Sequence, residues 1–122
     1  MFEGTLLSES LRTGAVLDTV ALTVRRIARY AVGDATQDQP GIWTAIDFEI
    51  ADSGAGALAD ALAGALGSRG GWYANFQSDT EAYVVFADKV FRYPRGDAAG
   101  RASAQAYGRR AGVPEAQLDW TV

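Results

Sequence analysis

Two carboxylates two residues apart, Asp47 and Glu49, are the first candidates for chemistry. On a β-strand they project from the same face, and a pair of carboxylates is the catalytic equipment of most glycoside hydrolases. Hairpin geometry across the 33–41 loop places Arg25 near Glu49. Cross-strand ion pairs are the simpler interpretation, so we predict a structural role for both carboxylates.

Arg92, Arg95 and Gly96 precede a predicted helix, an arrangement typical of an anion-binding site. The free N–H groups and the dipole of a helix N-terminus attract phosphate or carboxylate, and arginine binds both. Asp97 competes, because its side chain can cap the same N–H groups. Two alternatives stay open: a small anionic ligand near Arg92 and Arg95, or a helix capped by its own aspartate.

The chain contains no histidine and no cysteine, which excludes several chemistries. A Ser-His-Asp triad, a thiol nucleophile, a disulfide and a thiolate metal site each need one of these residues. No Gly-Lys-Ser/Thr sequence marks a phosphate loop, and no carboxylate spacing matches an EF-hand. We therefore expect no metal, no cofactor and no catalytic residue, and we favour a protein that is not an enzyme.

Charge and hydropathy narrow the choice of partners. Arg25, Arg26 and Arg29 form a basic cluster which, with aromatics nearby, is compatible with single-stranded nucleic acid. The net charge of −4 opposes affinity for nucleic acid or acidic membranes. No apolar run approaches the ~18 residues of a membrane span, and the amino-terminal residues lack the pattern of a secretory signal. We expect neither a nucleic-acid nor a membrane partner, and a cytoplasmic location.

The length of 122 residues predicts one domain, residues 1–122. Apolar alternation and turn residues predict strands at 2–11, 20–32, 42–50, 72–77, 81–87 and 89–94, with a helix at 54–66 after an Asp52-Ser53 cap. A β-bulge is predicted at 25–27, and Asp97 caps an alanine-rich helix that reaches about Ala111. The fold class is α+β: an antiparallel sheet of five to six strands with two helices on one face, order βββ-α-βββ-α, ferredoxin-like in part.

Seven of the thirteen aromatic residues fall within positions 72–93. A two-residue turn at 87–88 places Val85 opposite Val90, and a four-residue turn at 77–80 places Ala74 opposite Tyr83. Alternation then assigns the large side chains to two faces. Face one carries Trp72, Phe76, Tyr83 and Val85; face two carries Tyr73, Val84, Phe86, Phe91 and Tyr93.

Two helices on one side leave the other aromatic face without a cover. Either the N-terminal strands or Trp120 close it, or an apolar patch stays exposed for a second copy, a protein partner or a small ligand. On the second alternative we predict that Trp72, Phe76, Tyr83 and Val85 form an interaction face.

Two C-terminal stretches carry a resemblance: Val90-Phe91-Arg92-Tyr93-Pro94-Arg95-Gly96-Asp97-Ala98-Ala99, and Gly112-Val113-Pro114-Glu115-Ala116-Gln117-Leu118-Asp119-Trp120. They resemble small single-domain proteins of GC-rich bacteria, and the similarity covers about the last two-thirds of the chain. The resemblance implies a single intracellular domain. It implies no activity and transfers no site residue.

These observations together predict a non-catalytic intracellular domain that works by binding, as a homodimer or as an acidic partner of another protein. The alternative is a small-molecule binder or enzyme with a pocket between sheet and helices, near Arg92 and Arg95. The acidic net charge favours a basic partner through charge complementarity.

Overall fold

The computed structural model describes residues 1–122 and contains six strands and two α-helices. The strands are β1 (Phe2–Leu7), β2 (Thr23–Ala31), β3 (Ile42–Ile50), β4 (Ala74–Gln77), β5 (Glu81–Phe86) and β6 (Lys89–Pro94). The helices are α1 (Asp52–Ala65) and α2 (Ala98–Arg110), and short 3₁₀ turns lie at Ser8–Ser10 and Glu115–Gln117. The predicted α+β class and the order βββ-α-βββ-α are confirmed.

The six strands form one sheet in the order β2-β3-β1-β4-β5-β6, with every neighbouring pair antiparallel. Since β3 and β4 both run antiparallel to β1, they are parallel to each other, with α1 connecting them. This β3-α1-β4 unit with β1 inserted is a split βαβ motif, the part of the fold that is ferredoxin-like. Strand β1, which is central in the sheet, thereby joins an N-terminal half of the sheet to a C-terminal meander.

The register follows the predicted turns with one exception. Val85 pairs with Val90 as predicted, and the β2–β3 register shifts between Val24 and Arg26, which confirms the bulge. In β4–β5, however, Ala74 pairs with Val85 and not with Tyr83. Ser78 explains the difference, because its hydroxyl accepts hydrogen bonds from the backbone of the next turn residues, which moves the four-residue turn to 78–81. The resulting slip is two residues, so the predicted faces are preserved within the strands. Trp72 is the exception, because it precedes β4 and its ring lies beside Trp43 and not in the face-one core.

The two helices lie on opposite faces of the sheet, and the prediction that both lie on one face is wrong. Leu58 and Leu62 of α1 are fully buried against face one, together with Phe76 and Val85. Ala104 of α2 belongs to a separate cluster on face two. Each helix therefore shelters one of the two apolar faces of the meander, because leaving either in water would cost the burial of several large side chains.

Apart from Tyr107, whose ring packs on those of Phe86 and Phe91, the contact surface of α2 consists of small residues, which explains why its sequence shows no strong apolar stripe. A Cβ on Gly100 would come within 2.6 Å of the Tyr93 Cβ, and one on Gly108 within 2.8 Å of Leu118. The helix begins at Asp97, whose carboxylate accepts from the N–H groups of Ala99 and Gly100 at 3.1 and 3.2 Å. This confirms the predicted cap. The close approach of α2 lets the following tail supply the bulk of the cover.

The start of α1 differs from the prediction by one or two residues. Its cap position is Ala51, which makes no side-chain hydrogen bond, and Asp52 is already helical. The Asp52 carboxylate is engaged by the amino-terminal ammonium group of Met1. An acidic residue in the first turn still favours this helix through the dipole.

Candidate functional site

The predicted interaction face is buried, which corrects the expectation of an exposed aromatic patch. Relative exposures are 8% for Trp72, 0% for Phe76, 5% for Tyr83 and 0% for Val85. The Phe76 and Tyr83 rings stack at 4.9 Å beneath α1. The rings do project from both faces as predicted, but α1 covers face one, while α2 and residues 113–122 cover face two.

The residues predicted to bind an anion have partners within the chain. Arg92 donates from Nη2 to Oε1 of Glu81 at 2.9 Å, and this contact lowers the pKa of the Glu81 carboxyl. Arg95 donates to the Ser78 carbonyl at 3.1 Å, and Asp97 occupies the helix N-terminus. Gly96 serves the turn before α2, with φ at +88°.

The electrostatic surroundings of Arg95 also oppose an anion. It lines a depression together with three carboxylates, those of Glu3, Asp52 and Asp79. Like charges near an anion disfavour its binding. The anion site therefore stays a prediction, and the carboxylates around Arg95 do not favour it.

The paired carboxylates of β3 are engaged across the strands. Glu49 Oε1 lies 3.3 Å from Arg25 Nε, and Asp47 Oδ2 lies 3.6 Å from Arg26 Nη1. Thr5 Oγ1 also donates to Asp47 at 2.7 Å. The cross-strand ion pair predicted for Arg25 and Glu49 is confirmed.

The three arginines of β2 do not form a single cluster. Arg26 pairs with Asp47 and Arg29 with Thr44 in register, and these two partners project from opposite faces of β3. No group of three or more metal-ligating side chains is assembled anywhere in the chain.

One region of the sheet remains without a helix over it. On the α2 side, α2 packs on β6 and the tail covers the β5–β6 rings. The face of β2, β3, β1 and β4 on that side, here called the open half, has no helix over it, although Trp43 and Ala45 on this face are buried. Its polar side chains include those of Glu3, Asp47 and Glu49. Its aromatic side chains lie at the loop end of the β2–β3 hairpin, where Tyr30 pairs with Trp43.

An aromatic depression of about 320 Å³ lies at that end of the open half. Its rings come from the β2–β3 hairpin and from two adjacent residues that precede β4, and its polar groups come from strand, loop and tail. The rings are those of Tyr30, Trp43, Trp72 and Tyr73, and the polar groups include Asp34, Asn75, Gln117 and Asp119. Large aromatic walls with a few polar groups are the usual composition of a small-molecule site.

Backbone geometry fixes the two indoles. Trp43 is the cross-strand partner of Tyr30, and its Nε1–H donates to the Pro40 carbonyl at 2.8 Å. Trp72 meets it edge-to-face, with ring centroids 5.4 Å apart and planes at 61°. Trp72 follows Gly71, which has φ at +70° and whose Cβ, if present, would lie 2.6 Å from the Gly112 carbonyl oxygen. Only glycine permits this approach, so the turn that delivers Trp72 depends on it.

A pair of side-chain amides, one buried (Gln39) and one half-buried (Gln117), holds three loops together at the rim. Gln117 Nε2 donates to Gln39 Oε1 at 2.9 Å, and Gln39 Nε2 donates back to Gln117 Oε1 at 3.1 Å. Gln39 also donates to the Gly70 carbonyl, and Gln117 to that of Asp34 at 3.1 Å. The 33–41 loop, the glycine turn and the Glu115–Gln117 turn are thus joined by one network. We refer to it as the glutamine clamp, and it gives the depression a fixed outline.

Tyr73 forms the floor next to the tail. Its hydroxyl donates to the Gln117 carbonyl, and its ring packs on Trp120 at 4.9 Å. Burial, and after it the nearby Asp119 carboxylate, raises the pKa of Tyr73 far above its ordinary value. The hydroxyl stays protonated at neutral pH.

Of the predicted interaction residues, Trp72 is the one that also lines the depression. Sequence reasoning missed Tyr30, Trp43 and the tail residues as site residues. The available signal was a bulky Trp43 on the strand face that otherwise carries Asp47 and Glu49. An indole on a polar face indicates a local apolar environment there.

No protein-family model, curated protein or solved structure matches the chain. The molecule is therefore defined by its own fold and site: a six-stranded antiparallel sheet with one helix on each face and an aromatic depression on its open half. None of its helices has the length and apolar character that crossing a membrane requires.

Proposed function

We propose that the protein is a non-catalytic binding domain whose aromatic depression holds a small molecule. The observation that carries this proposal is the convergence of four rings on one depression: Tyr30, Trp43 and Trp72, which belong to neither core, and Tyr73, which lies at the edge of the face-two core. The ring of Tyr30 is 46% exposed and packs in neither core, so it is available to a ligand. The binding surface is therefore placed on the open half and not on the buried face one.

Binding is favoured over catalysis by the chemistry of the lining. A neutral Tyr73 hydroxyl held by a backbone carbonyl is neither a base nor a nucleophile. The lining contains two carboxylates, those of Asp34 and Asp119, and its hydroxyl groups belong to Thr5 and the two tyrosines. It contains no lysine or arginine. The aromatic side chains of the lining can orient a ligand, and its amide groups can recognise the ligand by hydrogen bonding.

The proposal is tested by following the indole N–H signals of the three tryptophans in an NMR titration with a library of small metabolites. A ligand in the depression is expected to shift the signals of Trp43 and Trp72. Trp120 is the internal reference, because its Nε1–H is buried and donates to the Tyr93 hydroxyl at 2.9 Å. Tyr30→Ala is expected to weaken binding about tenfold, since an aromatic contact is worth about a kcal/mol.

Ile42→Ala is the matched control, because Ile42 is also exposed but projects from the other face of β3. It is expected to bind like wild type. A library without a single ligand that shifts Trp43 or Trp72 contradicts the proposal, and so does a ligand that binds the Tyr30→Ala variant with unchanged affinity.

A second candidate function, self-association, is favoured by the exposed edge strand β2. This strand has nine residues, one free edge, and exposed Val24 and Ile27. An edge of this length offers unpaired N–H and C=O groups to a further strand. The other edge, β6, is shorter and carries Lys89 and Pro94, which protect it.

A second copy fits this edge in one antiparallel register centred on Ala28. In that register Arg26 lies opposite Tyr30 of the second copy, a cation–π pair that the twofold symmetry repeats. Ile27 then lies opposite Arg29 of the second copy. Registers centred one step away on either side instead bring arginines opposite each other, which disfavours them.

Sedimentation velocity at high micromolar concentration measures this self-association. Wild type is expected to sediment as a dimer, and Ile27→Lys as a monomer, because the new cation faces Arg29 of the second copy. Val16→Lys, an exposed change outside the strands, is expected to remain dimeric. A wild-type protein that is strictly monomeric removes this candidate function without affecting the first.

A further inference from the structure

Charge is distributed unevenly around the aromatic depression. The lining side chains include two carboxylates, Asp34 and Asp119, and no lysine or arginine. The nearest arginines of the hairpin point elsewhere: Arg26 pairs with Asp47, and Arg29 lies on the opposite face. The arginine at the glycine turn, Arg69, is directed to Asp38 at 3.9 Å. The local field therefore favours a positive guest over a negative one.

The rings add to this field. The face of an aromatic ring carries negative charge from its π electrons, and tryptophan attracts a cation most strongly. Two tryptophans and two tyrosines line the depression. Cations that carry alkyl groups are favoured for two reasons. They lose less hydration free energy on entering an apolar site, and their charge is still attracted by the aromatic rings.

The angle between the indoles selects the shape of the guest. A flat heterocycle binds best between parallel rings, but the planes of Trp43 and Trp72 are inclined at 61°. The two indoles contact each other edge to face and each is 8% exposed, so they leave no slot between parallel rings and present only their outer edges to the depression. The ring of Tyr30 is 46% exposed. A tetrahedral ammonium centre bearing methyl groups needs no slot, because it can pack against one ring face and the adjoining edges.

Hydrogen bonding points the same way. The Tyr73 hydroxyl is committed to the Gln117 carbonyl, and the two clamp amides are committed to each other. Few donors are left to satisfy an anion or a polyhydroxylated guest. An alkylated ammonium group needs none, since its charge is balanced by carboxylates at the rim.

We infer that the aromatic depression takes a small organic cation whose charge is spread over alkyl groups, an alkylated ammonium, with Tyr30 as the exposed ring beside the edges of Trp43 and Trp72, and with Asp34 and Asp119 as the balancing carboxylates. The inference rests on the proposed function, because it names the ligand class of the same site.

The experiment compares choline and tetramethylammonium with 3,3-dimethyl-1-butanol, which has the shape of choline without its charge. Titrations follow tryptophan fluorescence and the indole N–H signals, at an ionic strength held constant with sodium chloride. Choline is expected to bind about tenfold more tightly than its neutral isostere. Phosphatidylcholine vesicles form a separate arm: binding to choline in solution identifies a free cation as the guest, and binding to vesicles alone identifies the same group on a lipid.

Variants test the carboxylates. Asp119→Asn and Asp34→Asn are each expected to weaken choline binding about threefold, the scale of one charge pair near a surface, and to leave binding of the neutral isostere unchanged. The matched control is Asp18→Asn, an exposed aspartate between β1 and β2, for which no change is expected.

The failures of the two proposals are distinguishable. If the neutral isostere binds as tightly as choline, or if both asparagine variants bind choline like wild type, the ligand class is overturned and the binding function stands. If sugars or aromatic metabolites shift Trp43 and Trp72 and cations do not, the same conclusion holds. If nothing in either set shifts these signals, the proposed function itself is overturned.

Discussion

Replacing Trp120 by alanine is expected to lower the free energy of unfolding by about 3–5 kcal/mol. The indole is 7% exposed, packs on Tyr73 and belongs to the face-two core. Its N–H also donates to the Tyr93 hydroxyl, which in turn donates to the Val122 carbonyl at 2.6 Å. Removing the ring opens a cavity beneath the tail and uncovers an aromatic face, so both packing and cover are lost.

Equilibrium urea unfolding, followed by far-UV circular dichroism, measures this effect. Trp120→Phe is the matched control: it keeps most of the packing but loses the hydrogen bond, and we expect a smaller loss of about 1 kcal/mol beyond the change in size. Exposure of the face should also let Trp120→Ala bind a hydrophobic dye. An alanine variant as stable as wild type would show that the tail does not close face two.

Phe76→Ala is expected to cost a similar amount, about 3–5 kcal/mol, through the opposite core. Phe76 is fully buried at the centre of β4, and its ring contacts those of Phe2, Phe48 and Tyr83 at centroid distances of 5.9, 6.0 and 4.9 Å. Since these rings come from β1, β3 and β5, the truncation loosens contacts that join both halves of the sheet.

Ile27→Ala provides the control for Phe76→Ala, because Ile27 is 64% exposed and its truncation should change stability by no more than about 0.5 kcal/mol. If Phe76→Ala prevents folding, Phe76→Leu, which keeps most of the volume, gives a measurable smaller loss. Equal stability of the Phe76 and Ile27 alanine variants would contradict the assignment of face one to the interior.

Local patterns in the sequence predicted much of the fold. Alternation has a period of two, and a strand slip by two residues preserves faces. The assignment of Phe76 and Val84 to opposite faces therefore survived the wrong turn at 77–80. The Asp97 cap and the β2 bulge are likewise local signals. These features depend on neighbours in sequence, which a single sequence displays.

The side on which a helix packs is a different kind of property. Gly100 and Gly108 make α2 flat enough to approach Tyr93 and Phe86 closely, but glycine in a helix gives no apolar signal. The bulk of the second core comes from Leu118 and Trp120, which follow the helix in a polar-looking tail. The sequence named Trp120 as one way to close that face and offered no means of deciding.

The candidate site was the least predictable part. Its outline depends on the Gln39–Gln117 clamp, whose partners are 78 residues apart, and on Trp43 meeting Trp72 across the sheet. No periodicity encodes such long-range meetings. Arg92 and Arg95 were predicted as anion ligands because they precede the start of a helix, whereas in the structure Arg92 forms an ion pair with Glu81.

The uneven covering of the sheet has a mechanical consequence. Strand β5 is enclosed by apolar residues above and below, whereas β2 is exposed along nearly all its length, so the two ends of one hydrogen-bonded sheet must differ in how readily they open. The depression lies between these two ends, with Tyr30 on the end that opens more readily and Trp72 and Tyr73 on the more stable end. A ligand bound there would contact both ends and would therefore reduce the local opening of the β2–β3 hairpin.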